Sequence, residues 1–488
     1  MHRAGTDAPN ILLVVMDTAR ADAFEPYGAP SGATPTVAQL ASIGHAYRDV
    51  FSTANWTVPA HASLFTGLHP STTGLGQAAG GPFGCRHRLE ALKTRMLPEV
   101  LRNAGYATAG VSTNMWITNH SGFATGFDRF EVVRPEHRAR INGGRLRDRL
   151  LWDLDAVRAV QDDGAADVAR VLKRWLEESR GGSFFWFVNL TECHSPYLPP
   201  RPYNDLAIWD RIRAGEESRR HLTLSEIWKV CLGAGVIPAG ALARMRHLYT
   251  RSIRYMDDWL ARVLDLLDRE GVLEETVVIV TSDHGENLGE SDLIGHAFSL
   301  DDRLIRVPFI TSHNDVLGGV GAQSLADVPG ALANLIGARD HPYDGASSTS
   351  GIAVAELERL LEPSDPRVEK ACDEWQLNEI GLSRLTTSAW CATDGRYKLV
   401  HNGSEETLYD LADDPLELEP MAVSGSLSAA LSAVVADLHR AGEETLRRGL
   451  DDLEDMSADS KRARSAASEV SAEELEAIES QMRRLGYL

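Results

Sequence analysis

Three short, unbroken apolar runs punctuate this chain: Ile11 to Met16, Phe184 to Leu190 and Thr276 to Val280. Each is rich in β-branched or aromatic residues and gives way at once to polar ones, the pattern of a strand buried on both faces. Between them the period lengthens to that of a helix. Ala165, Val168, Leu172, Trp175 and Leu176 recur at helical spacing over Ala165 to Glu178. Leu248, Ile253, Met256, Leu260, Val263, Leu264 and Leu267 share one face over about Leu242 to Glu270. Strands alternating with helices predict an α/β fold, a mostly parallel central sheet covered by helices on both faces. Ligands bind such sheets at the carboxyl edge. Asp17, His194 and Asp283 all lie just beyond the carboxyl ends of the three runs, so residues more than 260 positions apart can meet in one crevice.

With 488 residues the chain can bury a large core, and one big α/β domain with a smaller appendage suits that length. Its 49 basic and 70 acidic residues give a formal charge of −21. Nucleic acid and anionic membrane surfaces, which need a basic footprint, are therefore not expected partners. An anionic small molecule would be met by local Arg, His and metal charge instead. The apolar run Ile11 to Met16 leads straight into Asp17 and reads as a strand rather than a signal peptide. No stretch reaches the roughly 18 to 20 apolar residues that span a bilayer. The five cysteines, Cys85, Cys193, Cys231, Cys372 and Cys391, lack metal-type spacing, and their odd number argues against a disulfide framework. A cytoplasmic location and a soluble metabolite as substrate are the expectation.

Chemistry concentrates in two segments. In Trp56 to Gly67, Thr57 precedes Pro59, which is expected to open a helix, and small residues follow. A helix N-terminus turns free N–H groups and positive dipole toward an anion, which makes Thr57 a candidate nucleophile facing phosphate or sulfate. The second segment, Thr281 to Glu286, holds the pair Asp283-His284 beyond a strand. With Asp17 it offers two carboxylates and an imidazole, a donor set suited to Mn²⁺, Zn²⁺ or Fe²⁺ more than to the oxygen-preferring Ca²⁺. One divalent ion is expected, Mn²⁺ first among them, with Thr57 as the next ligand and its hydroxyl acidified by coordination.

These segments, in this order, resemble the sulfatase-like branch of the alkaline phosphatase superfamily. The likeness extends through Asn10 to Asp22, Thr34-Pro35, Ser63 to Pro70, Leu97 to Ala109 and Gly126 to Phe130. It continues through His194 to Tyr197, Gly295-His296, Ile305 to Pro308, Gly395 to Lys398, Leu408 to Leu411 with Asp414-Pro415, and Leu485 to Leu488. The resemblance implies an alkaline phosphatase-like fold with a metal site of Asp17, Thr57, Asp283 and His284. His194 matches a family histidine that contacts the transferred group or protonates the leaving oxygen. His296 stands where typical sulfatases carry a Lys that holds the anion and assists the leaving group; His can do either.

The chain departs from the sulfatase pattern where it matters most. Typical sulfatases need a Cys or Ser at the Thr57 position, oxidised to formylglycine, and an Arg at the His61 position. Oxidising Thr at Cβ gives a ketone rather than the aldehyde whose hydrate expels sulfate, so no formylglycine is expected. A Thr-bound phosphoryl group can instead be released by in-line attack at phosphorus. That favours phosphoryl chemistry, as in the Thr-dependent relatives and lipoteichoic acid synthase. Thr18 replaces the second Asp of the usual opening, so the site looks more like the one-metal arrangement of phosphonate monoester hydrolase and phosphoglycerol transferase than a two-zinc centre. The expected activity is hydrolysis of a phosphate mono- or diester, or a sulfate ester, through a covalent Thr57 intermediate. A phosphoryl or phosphoglycerol-type transferase using an alcohol acceptor, and a non-catalytic binding protein, are the competing readings.

His61, Arg20 and Asn114 are candidates for substrate contact; Arg20 with Asp22 reads first as a salt bridge fixing the loop after Asp17, and His61 equally as a residue orienting Thr57. Arg201 and Arg254 are polar candidates for the pocket wall that read first as plain surface. The catalytic α/β domain is placed at residues 1–369, with cap segments near 134–163 and 200–238 that shape substrate choice. A small α+β subdomain is placed at 370–440. A charged tail at 441–488, helical near Glu473 to Leu485, is expected to dock on the domain or on a second subunit.

Overall fold

The computed structural model describes residues 8–77, 81–134, 146–179, 181–343, 351–403, 405–423 and 427–463. Seven strands build the central sheet: β1 (Asn10–Met16), β2 (His45–Tyr47), β3 (Ala107–Ser112), β4 (Arg129–Val132), β5 (Phe184–Leu190), β6 (Thr276–Thr281) and β7 (Phe309–Thr311). Their spatial order is β2-β7-β6-β1-β5-β3-β4. β6, β1, β5, β3 and β4 run parallel, and β7 is antiparallel to both its neighbours. The three apolar runs of the sequence are thus the three central strands, and every residue of each is buried. Central strands of a parallel sheet have no solvent face, which is why their sequences do not alternate.

Helices cover both faces. Leu12, Val14 and Met16 of β1 pack into a cluster with Val168, Leu172 and Trp175 of the helix Ala165–Glu178 and Met256, Trp259 and Leu260 of the helix Ala239–Arg269. Ile11, Leu13 and Val15 point the other way, into a cluster with Val58, Ala62 and Phe65 of the helix Thr57–Thr66. One strand therefore divides its side chains between two cores, as its period of two requires.

The two segments expected to form a cap contain two helices that pack together, Leu146–Arg158 and Ile208–His221, with Trp152 Nε1 donating to the Gly215 carbonyl at 2.9 Å. Residues 135–145 of the first cap segment lie outside the described residues. Beyond the main sheet, β8 (Ala353–Leu357), β9 (Ala389–Thr393), β10 (Tyr397–Asn402), β11 (Glu405–Asp410) and β12 (Met421–Ala422) form an antiparallel sheet in chain order. This smaller C-terminal sheet begins at Ala353, ahead of the expected boundary at 370, because β8 pairs along its whole length with β9. The helix Ala429–Ala463 lies against it, burying Leu438 beside Trp390 and Leu408, and runs unbroken across the expected boundary at 440/441. The helical stretch expected near Glu473 to Leu485 falls outside the described residues.

Candidate metal centre and active site

Asp17 follows the last residue of β1 and extends its ladder by one bond, N–H to the Leu190 carbonyl at 2.9 Å. The chain then turns sharply, with Thr18 at a φ of 60°, and the Thr18 N–H donates to Asp283 Oδ1 at 3.2 Å. Asp283 and His284 leave the carboxyl end of β6, the strand beside β1. Gly285 allows this exit: any Cβ there would collide with the Arg303 carbonyl. One ligand atom from each of Asp17, Asp283 and His284 lies within 4.8 Å of the others, and all three side chains are fully buried.

Thr57 is brought to the cluster by the helix Thr57–Thr66. The helix starts at Thr57 itself, with Trp56 as its cap, so Pro59 occupies the first turn rather than the first position. Pro is tolerated there because first-turn N–H groups lack helical partners. Thr57 is 3% exposed, and its hydroxyl lies 3.4 Å from His284 Nε2. His284 Nδ1 donates to the Gly285 carbonyl at 2.9 Å, which fixes the tautomer and leaves Nε2 with a free lone pair.

The electrostatics of the pocket are those of a site short of positive charge. Burial, reinforced by Asp283, pushes Asp17 up to about 6, and burial pushes Asp283 up to about 7. Burial holds His284 well below its usual range. Asp17 Oδ1 and Asp283 Oδ2 are buried with no hydrogen-bond partner. Two orphaned carboxylate oxygens, one imidazole nitrogen and a nearby hydroxyl fit a divalent cation that accepts mixed oxygen and nitrogen donors.

The three residues expected to contact substrate all bond to other groups of the protein. Asn114 Nδ2 donates to Asp17 Oδ2 at 2.5 Å and Asn114 Oδ1 accepts the Trp116 N–H at 2.7 Å, so the side chain aims the carboxylate. His61 is fully buried among Phe65, Phe123 and Phe187. Its Nδ1 meets the Thr57 carbonyl at 2.9 Å and lies 3.4 Å from Asp283 Oδ2, while Asn189 stands 3.3 Å from Nε2. Burial drives the His61 pKa down to about 4, so the ring is a neutral brace rather than an anion receptor. Arg20 forms the salt bridge with Asp22, and also bonds Glu290 and the Glu286 carbonyl. Its guanidinium is committed to holding two loops together. Arg254 pairs with Asp258 and the Gly32 carbonyl, and Arg201 is exposed.

His194 and His296 stand on the open side. Both are part-exposed, His296 by 24% of its side chain. Their ring centroids are 5.1 Å apart, and His296 is 4.6 Å from His284. Burial opposes the charged form of His296, but the Glu286 carboxylate, its hydrogen bond and the Asp17 and Asp283 charges outweigh it and raise the pKa. Glu286 was not singled out by sequence reasoning; its one signal is that it completes the Ser-Asp-His-Gly-Glu run. Asn189, buried inside the end of an apolar strand, carried no signal beyond being polar in the run Phe184 to Leu190.

A family model described as Sulfatase matches residues 9–328. The multifunctional alkaline phosphatase superfamily protein PehA of Trinickia caryophylli is 25% identical, the match covering 85% of this chain and 91% of that one. Human iduronate 2-sulfatase is 24% identical over 58% of this chain, which spans 56% of that protein's length. Among solved structures, the phosphonate monoester hydrolase of Agrobacterium radiobacter superposes with a TM-score of 0.61 at 21% identity, over 90% of this chain and 95% of that one. Together with the parallel sheet and the smaller antiparallel sheet beyond it, the match over residues 9–328 places this chain in the sulfatase family.

Proposed function

We propose that this protein is a metal-dependent hydrolase of phosphate mono- or diesters acting through a covalent Thr57 intermediate. The observation that carries the reading is the placement of the Thr57 hydroxyl, buried and 3.4 Å from His284 Nε2, at the edge of a cluster that includes two orphaned carboxylate oxygens. Asp17, Asp283 and His284 would hold the cation, with Thr57 beside it. When bound, a divalent ion supplies Lewis acidity, lowering the pKa of an adjacent hydroxyl and polarising the ester oxygens.

The side chains do the rest. Thr57 Oγ attacks in line, the helix N-terminus favours the anion it attacks, and a histidine on the open side protonates the departing alcohol. Water then attacks the Thr57 ester from the vacated side. Thr cannot become an aldehyde, so the elimination route open to a formylglycine hydrate is closed, and attack at phosphorus is the exit that remains. The names of two relatives, a multifunctional alkaline phosphatase superfamily protein and a phosphonate monoester hydrolase, support phosphorus chemistry on this scaffold. Mn²⁺ is the metal we favour, an anionic small molecule the substrate, and the cytoplasm the location.

The test is turnover of an aryl phosphate, a phosphodiester, a phosphonate and an aryl sulfate by Mn²⁺-loaded protein and by its Thr57→Ala variant. Phosphorus esters should be cleaved and sulfate disfavoured, with activity lost in the variant. Full activity of Thr57→Ala would end the covalent mechanism. A new ester product on addition of an alcohol would convert the reading to a transferase.

A further inference from the structure

Two histidines flank the open side of the metal cluster, and their Nδ1 atoms face different partners. His194 Nδ1 lies 2.9 Å from the carbonyl of its own neighbour, Ser195. His296 Nδ1 lies 3.0 Å from Glu286 Oε1, a carboxylate with no solvent exposure. The second Glu286 oxygen accepts the hydroxyl of Tyr197 at 2.9 Å, and Tyr197 is itself buried. The main chain of Glu286 is held as well, its carbonyl accepting from Arg20 at 3.3 Å and the preceding Gly285 N–H reaching Leu304 at 2.7 Å. Glu286 is therefore immobilised at both carboxylate oxygens and at its backbone. Its distinct contact with the reaction centre is His296.

A buried carboxylate on Nδ1 does two things to an imidazole. It fixes the ring orientation so that Nε2 faces the site, and it stabilises the ring while Nε2 carries a proton to give. A backbone carbonyl gives only the first. We propose that His296, and not His194, is the proton donor to the leaving oxygen, and that Glu286, anchored by Tyr197, is its positioning residue. This rests on the phosphoester reading of Thr57 above. In the first half-reaction Thr57 Oγ, entering deprotonated, forms its bond to phosphorus as the bond to the leaving oxygen breaks, and the His296 Nε2 proton passes to that oxygen. In the second half, water gives its hydroxide to phosphorus and its proton to Nε2 while the Thr57–phosphorus bond breaks, which restores both groups. His194, its Nδ1 turned to a main-chain oxygen, orients the transferred group.

A proton donor matters most when the leaving group is poor, which provides a readout that general structural damage does not move. With Mn²⁺-loaded protein, kcat/KM is measured for an aryl phosphate of low leaving-group pKa and an alkyl phosphate of high pKa. His296→Ala should lower the alkyl ester by about 10²–10⁴ and the aryl ester at least tenfold less. Glu286→Gln should show the same bias, smaller, and adding it to His296→Ala should cost little more, since the two act as one unit. His194→Ala should lower both esters alike. Equal losses on both esters for His296→Ala and Glu286→Gln, additive losses in the double variant, or a leaving-group bias on His194→Ala instead, would each overturn the assignment. A wild-type protein that cleaves neither ester, offered as mono- or diester, would instead overturn the phosphoester reading beneath it.

Discussion

Asn114 Nδ2 donates to Asp17 Oδ2 at 2.5 Å, deep in the crevice where both residues are buried. The bond leaves Asp17 Oδ1 as the free oxygen of that carboxylate and fixes the direction in which it points. Groups that orient a metal ligand typically contribute 10- to 100-fold in affinity. Asn114→Ala should therefore weaken Mn²⁺ binding by about that factor while leaving the binding stoichiometry at one, as read by calorimetric titration. Unchanged affinity would place the orienting force elsewhere.

Metal binding should release protons in a defined window. With burial raising Asp17 to about 6 and Asp283 to about 7, the metal-free site holds protons that ordinary carboxylates lose near pH 4. A cation must displace them, so affinity should fall as pH drops from 7 toward 5. His284, kept neutral by burial, contributes no proton to this competition. Titration at pH 6.5 in buffers of different ionisation enthalpy should show more protons released than at pH 8.5, where the two carboxylates have none left to give. Flat affinity across this range would mean that the two carboxylates are already ionised before the metal arrives.

A second buried charge ties the smaller sheet to the catalytic loops. Lys398 of β10 is fully buried and donates to the Leu300 carbonyl at 2.6 Å, Glu417 at 2.9 Å and Asp302 at 3.0 Å. Burial opposes its charge, but Glu417 and Asp302 more than restore it. Removing one member of such a group strands the others, at a cost of about 3–5 kcal/mol. Lys398→Met should lower unfolding free energy by that amount in a denaturant titration at pH 7.5. Because Leu300 and Asp302 lie just past His296, the variant should also lower activity at temperatures where it remains folded.

How far the chain could be read in advance differs from region to region. The strands β1, β5 and β6 and the helices that cover them were legible because burial on both faces leaves an uninterrupted apolar run, and burial on one leaves a helical period. Asp17, Asp283 and His284, which the fold brings together, could be named because they lie just beyond such runs. The start of the smaller sheet was harder to see. Ala353–Leu357 is a five-residue strand with no turn signal tying it to β9, more than thirty residues later, and only the pairing reveals the partnership.

Sequence by itself determined the fold class, the carboxyl edge at which chemistry gathers, and the donor types that gather there. It did so because strand and helix periods, and the residues that terminate them, are local properties. Tertiary structure alone decided what each polar residue around the crevice bonds to. Asn114, His61 and Arg20 carry groups equally suited to binding an anion. They became braces because the folded chain places Asp17, Thr57 and Asp22 within hydrogen-bonding reach of them. The same holds for Glu286, whose carboxylate is given its partner His296 only by the antiparallel pairing of Asn287–Leu288 with Ile294–Gly295. Side-chain direction is set by packing across the whole crevice, and no local pattern encodes it.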